Sequence, residues 1–179
     1  MTKKWKLVHR MLSLKSPWVT VYADRLQDDT GKDLEYWHVD RADSVIVLAI
    51  QNGQFLLPEM QYRPGVDEVM LDFAGGRIAA DQTPAEAAVS VVRKELGIPA
   101  GQVMSLKPIT DEPLCVDSSF SSQKLYGFVA EIKGDIEPPE HVRGHSLNKI
   151  EHLRQKLHCL QCRLLLDEFL LQWQKDLLT

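Results

Sequence analysis

The sequence predicts an α+β fold, and three observations predict it: a first half rich in β-forming runs, one sharply bounded central helix, and a leucine-periodic stretch towards the C-terminus. Near the N-terminus, Trp5, Leu7, Trp18, Val19, Val21 and Tyr22 supply β-formers around a Ser16-Pro17 break. Lys3, Lys4, Lys6, Arg10 and Lys15 accompany them with no acid among the first 20 residues, which reads as a basic strand, with an anion-binding arm as the competing reading. The polar run Asp28-Asp29-Thr30-Gly31-Lys32-Asp33 predicts a hairpin turn. Residues 44–50 (SVIVLAI) form a short continuous apolar run, the pattern of a strand covered on both faces, and Asn52-Gly53 turns the chain into Phe55-Leu56-Leu57.

The central helix is predicted over residues 84–96. Thr83 is a natural N-cap, Pro84 takes the first helical position, Glu86 completes a capping box, and Gly97 supplies the stop. Residues 125–132 (LYGFVAEI) return to strand chemistry and Pro138-Pro139 ends that segment. From residue 147 to 178, Leu153, Leu157, Leu160, Leu164, Phe169 and Trp173 recur at three- to five-residue spacing, which predicts one or two amphipathic helices.

The chain has 179 residues, 44% hydrophobic and 26% charged, and no linker or repeat divides it. A single domain over residues 1–179 is expected, with an N-terminal β-region at 1–42 and a core with C-terminal helices at 43–179. A net charge of −4 argues against holding a nucleic acid by bulk electrostatics. No apolar run is long enough to span a membrane. Three cysteines and no visible secretory signal point to a reducing, cytoplasmic setting.

The segment that could carry chemistry reads Asp72-Phe73-Ala74-Gly75-Gly76-Arg77-Ile78, then a loop through Gln82, then the capped helix to Gly97-Ile98. It resembles the box of the Nudix hydrolase family: Gly, five residues, Glu, seven residues, Arg-Glu-aliphatic-x-Glu-Glu-x-Gly-aliphatic. From Gly76 the register fits without a gap, but Gln82 falls at the first Glu, Ser90 at the Arg, Val91 at the next Glu, and Lys94 and Glu95 at the paired glutamates. Gln61-Tyr62-Arg63-Pro64-Gly65 looks like the Arg-Gln-Tyr-Arg segment of the ADP-ribose pyrophosphatase branch, with Met60 in place of its first Arg. Asp72-Phe73-Ala74-Gly75-Gly76 resembles that branch's Glu-Phe-Pro-Ala-Gly. The resemblance extends roughly from Trp5 to Trp173. It implies a Nudix fold, a mixed sheet sandwiched between helices, and a homodimer paired through N-terminal strands.

Diphosphate hydrolysis needs a metal to neutralise phosphate oxygens and to activate or orient water, and magnesium takes oxygen ligands. Positions 91, 94 and 95 share one helix face. Here they hold Val91, Lys94 and Glu95, so a single carboxylate remains. An ammonium ~4 Å from a unit charge contributes about 4 kcal/mol at an effective dielectric near 20, and roughly twice that in repulsion towards a divalent ion. Glu95 is thus the sole candidate catalytic residue and metal ligand of the box, with Mg2+ the cofactor if hydrolysis survives and otherwise none. The Gly75 carbonyl and the acids Glu68, Asp72, Glu112 and Asp117 are the groups a rearranged site would recruit.

Arg63, Gln61, Gly75, Gly76 and Lys94 are the candidate substrate-binding residues. A guanidinium fork suits phosphate or ribose oxygens, against the simpler reading of a surface arginine in a turn. Lys94 would serve as a phosphate-binding point charge. Trp37 reads as a buried or dimer-interface residue, with base stacking as the alternative. Cys159-Leu160-Gln161-Cys162, with His152 and His158 nearby, is a legitimate zinc set. However, no second pair accompanies it, and cysteines in a leucine-rich helix pack as small apolar residues. His141 and His145 read as solvated loop residues. The sequence therefore points to a divergent Nudix-fold protein impaired in metal-dependent hydrolysis that serves as a nucleotide-binding or protein-interaction module. The alternative is an active pyrophosphohydrolase of ADP-ribose or a related nucleoside diphosphate with displaced metal ligands.

Overall fold

A computed structural model describes residues 4–176 of the chain. Lys3, the predicted helix end at Leu178 and the side chain of Trp173 lie outside the described residues. The chain forms two compact units, residues 1–43 with 115–124, and residues 44–114 with 125–179.

The first unit is built on a three-stranded antiparallel sheet, β1 (Lys6–Lys15), β2 (Thr20–Gln27) and β3 (Asp33–Asp40), in that order. The predicted turn closes β2 on β3. Asp28 Oδ1 accepts the N–H groups of Thr30 and Lys32, each at 2.9 Å, and Gly31 takes the left-handed φ of 89° that the turn requires. Every residue of β1 is exposed. Residues 115–124 join this unit through Val39, whose N–H donates to the Phe120 carbonyl at 2.7 Å. Asp24 is buried, and Arg10 Nε and Nη2 donate to its two oxygens at 2.8 and 2.9 Å, with His38 Nε2 3.0 Å away. The Arg10 guanidinium also lies 3.7 Å above the Tyr22 ring centroid.

The second unit is organised around β4 (Ser44–Gln51), the apolar run seen in the sequence. β5 (Gln54–Pro58) follows it through a turn with Asn52 and Gly53 at φ 47° and 72°. A small hairpin comes next, β6 (Gln61–Arg63) with β7 (Glu68–Met70), then β8 (Ala74–Arg77), which pairs antiparallel with β4. Helix α1 (Pro84–Leu96) has the predicted capping box: Thr83 accepts from the Glu86 N–H, Glu86 accepts from the Thr83 N–H, and Gly97 ends it at φ 64°. β9 (Val103–Pro108) and β10 (Leu114–Cys115) precede β11 (Lys124–Ile132), which runs parallel to β4 and antiparallel to β9. β12 (Val142–Ser146) pairs with β5, and α2 (Ile150–Lys156) and α3 (Leu160–Asp176) complete the chain. The predicted α+β class with a mixed sheet is therefore what the chain adopts.

Alternation along β4 sorts its side chains between two faces. Val45, Val47 and Ala49 bury against Ala87, Ala88, Val91, Val92 and Leu96 of α1. On the other face Phe55 meets Phe73 and Phe169 of α3 edge-on, with ring centroids 5.7 and 5.4 Å apart, and Leu165 fills the space that a side chain at Gly127 would need. β6, β7, β9 and β12 were not expected from the sequence. They are short, and their pairing partners rather than their own hydrophobic pattern hold them extended.

The Arg10 hydrogen bonds hold the Asp24 carboxyl down at about 2 against burial, which pushes the other way, with His38 adding to the depression. Because the folded value lies below the ordinary 3.8, this carboxylate's contribution is fully present above 3.8 and is lost as pH falls towards about 2. Asp24→Asn is expected to lower the Tm by several degrees at neutral pH and to flatten the fall in Tm between pH 4 and 2, as read by thermal scans across pH.

Candidate functional site

The Nudix-like segment starts on β8 and ends on α1. Gly75 and Gly76 sit opposite Ile46 and Val45 in the β4–β8 ladder. A Cβ on Gly75 would come within 3.2 Å of Ile46 Cγ1 and the Val45 carbonyl, and one on Gly76 within 2.9 Å of Val91 Cγ2. Both glycines are therefore needed for β8 to lie close to its neighbours. Val91, only 6% exposed, fills the space over Gly76 with a methyl group and belongs to the core. One turn on, Lys94 is exposed and Glu95 is half-buried with no hydrogen-bond or ion-pair partner among the described residues.

Gln82 and Ser90 meet each other: Gln82 Nε2 donates to Ser90 Oγ at 3.3 Å, a neutral contact beside a shallow depression between the loop and α1. The face that would hold magnesium thus offers one carboxylate, an ammonium and a buried methyl. This donor set does not fit a hard, octahedral, oxygen-seeking ion.

Arg63 and Gln61 lie on β6, away from that face in the chain. Arg63 is engaged rather than free: Nε and Nη2 hold Asp72 Oδ2 at 2.8 and 2.7 Å. Asp72 in turn accepts from the Cys162 thiol through Oδ1 at 3.8 Å. Cys159 is half-buried directly ahead of α3, and its carbonyl accepts the Arg163 N–H at 3.0 Å. Cys162 is buried. The Cys162 thiol and the backbone N–H groups of Cys162 and Gln161 draw the Cys159 thiol down to about 6 against its burial. The neighbouring Cys159, burial and the Asp72 carboxylate all push the Cys162 thiol up. Cys162, 1% exposed, packs in the core as the leucine pattern predicts, Cys159 is only half-buried, and neither His152 nor His158 joins the pair within ligating reach.

A cleft of about 780 Å³ in the second unit is lined among others by Met60, Glu68, Arg143, His145, Lys156 and His158. None of its lining residues comes from α1 or from Gly75 and Gly76. Of the residues singled out from sequence, the cleft gathers Met60, Glu68, His145 and His158, while Glu112 lies exposed and Asp117 caps a turn in the other unit at 2.8 Å from Ser119 Oγ. His145 is not a solvated loop residue: it lies on β12, and its Nε2 is buried without a partner. Burial lowers its pKa, with Lys156 and His152 adding in the same direction. The sequence hid this strand because Pro138-Pro139 and a polar run mask it. Trp37 is not buried within the chain: it is 48% exposed with its indole N–H on Glu35 Oε1 at 2.6 Å, because β3 turns that position outward, where an interface would find it.

No family model matches the sequence, and no curated protein matches it. Among solved structures, the crystal structure of an ADP compounds hydrolase is similar over 99% of this chain and 97% of that one, with a TM-score of 0.81 at 19% identity. At that identity the likeness is one of fold, and the fold is the Nudix type that the sequence led one to expect. Among the described residues, no helix is long and apolar enough to cross a membrane.

Val91 gives this site a direct test. Val91→Glu is expected to lower the Tm by burying an unpaired carboxylate, and added magnesium is not expected to restore it while Lys94 stays in place, as differential scanning calorimetry with and without the ion will show.

Proposed function

We propose that this chain is a Nudix-fold protein that binds a nucleoside diphosphate-type ligand without efficient metal-dependent hydrolysis. The observation that carries the reading is Val91 seated over Gly76, with Lys94 beside the single carboxylate Glu95. The helix, its caps and its packing are kept, whereas the charge that would gather a divalent ion is not. The cleft supports a ligand-binding role. Lys156 brings a cation to its wall beside the Arg143–Glu59 ion pair at 2.8 Å, and the unpartnered His145 nitrogen is a polar group that a ligand would satisfy. Arg63 orients Asp72 in this reading, and Gln61, Gly75, Gly76 and Lys94 shape the segment rather than grip phosphate.

The chain is proposed to act as one functional domain in the cytoplasm and as a homodimer through its N-terminal strands. In support of the dimer, β1 is an edge strand exposed at every position, and it presents Leu7, Val8, Met11, Leu12 and Leu14 to solvent. A double substitution Met11→Lys with Leu12→Lys is expected to convert a dimer to a monomer in size-exclusion chromatography with light scattering.

The function is tested by incubating the protein with ADP-ribose and magnesium or manganese while following AMP release and thermal shift together. The expected result is stabilisation without turnover. Lys156→Ala should weaken binding roughly tenfold, the loss of one charge-assisted hydrogen bond. Metal-dependent turnover abolished by Glu95→Gln would instead establish the active pyrophosphohydrolase with displaced ligands. Absence of both signals across a nucleotide panel would leave a protein-interaction module.

A further inference from the structure

Among the described residues, one group of Cys, His, Asp and Glu side chains brings three candidate donor atoms together: an oxygen of Asp72 and the sulfurs of Cys159 and Cys162 all lie within 4.8 Å of one another. They come from distant parts of the chain, the segment between β7 and β8 and the start of α3. We propose that Asp72, Cys159 and Cys162 form a binding site for one soft divalent cation of the zinc class, with the fourth position left to water or to an occupant of the adjoining cleft.

Donor type selects the ion. Two thiolates and one carboxylate suit zinc, which takes four ligands in a tetrahedron, and do not suit magnesium or calcium, which seek oxygen. Spacing agrees with this. Ligand atoms about 2.0–2.3 Å from a common tetrahedral centre lie some 3.3–3.8 Å from one another, and the Cys162 sulfur already stands 3.8 Å from Asp72 Oδ1.

Charge agrees as well. Two thiolates, a carboxylate and the Arg63 cation leave two negative charges, which a divalent ion cancels in a site where Cys162 is buried and Asp72 nearly so. The surroundings are those of a supported ligand set. Arg63 holds Asp72 through Oδ2, and Oδ1 faces the Cys162 sulfur at 3.8 Å. Three protein ligands leave one coordination position open. The cleft is close by in the chain, since its lining residues Leu71 and His158 immediately precede Asp72 and Cys159. Binding would convert both thiols to thiolates and release their protons to solvent, with no change of oxidation state.

The site is separate from the magnesium face of the box, so its test does not depend on hydrolysis or on nucleotide binding. Full-length protein, reduced and stripped with a chelator, is titrated with Zn2+ against a chromophoric competitor and, separately, with Co2+. The expected result is one equivalent bound per chain, a raised Tm, and a sulfur-to-cobalt charge-transfer band. Cys159→Ala and Cys162→Ser should each weaken Zn2+ binding by at least about tenfold, whereas Cys115→Ala should leave it unchanged. Cys159 is half-buried and ahead of the helix, so its alanine variant keeps the proposal testable should Cys162→Ser or Asp72→Asn fail to fold.

Bound zinc should also protect the pair from oxidation by a small disulfide such as oxidised glutathione. Binding that Cys159→Ala does not weaken would overturn the site. So would loss of two hydrogens by mass spectrometry, as Cys159 and Cys162 form a disulfide equally fast with and without zinc. That result would assign the pair to thiol–disulfide exchange instead.

Discussion

Gly76 approaches α1 without a side chain, and Val91 occupies the room this leaves, so β8, β4 and α1 close on one another at a distance set by a single methyl group. The rest of the second unit depends on this contact. β4 pairs on one edge with β5 and β8 and on the other with β11, and its Val45, Val47 and Ala49 reach the helix only if β8 lies flat beside it. A larger residue at 76 would push α1 off the sheet and open the cluster that also holds Val92 and Leu96. The same contact makes Val91 part of the core rather than of a polar surface.

Helix and site have therefore diverged in what they retain. Capping by Thr83 and Glu86, the stop at Gly97 and the apolar positions of α1 all concern the helix as a structural element, and all are in place. Gln82 and Ser90, beside the N-terminal half of this helix, hydrogen-bond to each other. Polar organisation in this unit has gathered elsewhere, around Asp72. That carboxylate is held on one oxygen by Arg63 and faces the thiol pair with the other, which ties β6, the segment ahead of β8 and the start of α3 together.

A comparable arrangement orders the first unit. Asp24 is buried in the middle of β2 and satisfied by Arg10 on β1 and His38 on β3, so one carboxylate bridges all three strands. Replacing it with an apolar residue would strand Arg10 over the Tyr22 ring without its anion. This sheet has little core of its own, as the full exposure of β1 shows, and the ion pair supplies register where apolar packing does not.

The sequence by itself determined the elements whose signals are local. The capped helix 84–96, the strand at 44–50, the turns at Asp28 and at Asn52-Gly53, and the paired C-terminal helices all follow from backbone preferences and hydrophobic period acting over a few residues. It also placed Gln82, Ser90, Val91, Lys94 and Glu95 at fixed spacing on the loop and helix. Only the tertiary structure decided what those residues do. Val91 might equally have faced solvent by its position in a helix, and it is Gly76, fifteen residues earlier on another element, that makes it core. Asp72 meets Cys162 across 90 residues, and Arg63, read alone as a free ligand-binding fork, is committed to Asp72. His145 became a strand residue with an orphaned nitrogen because β12 pairs with β5. Contacts of this kind have no local signature. Loop closure brings the partners together, and the energies that select them act through space rather than along the chain.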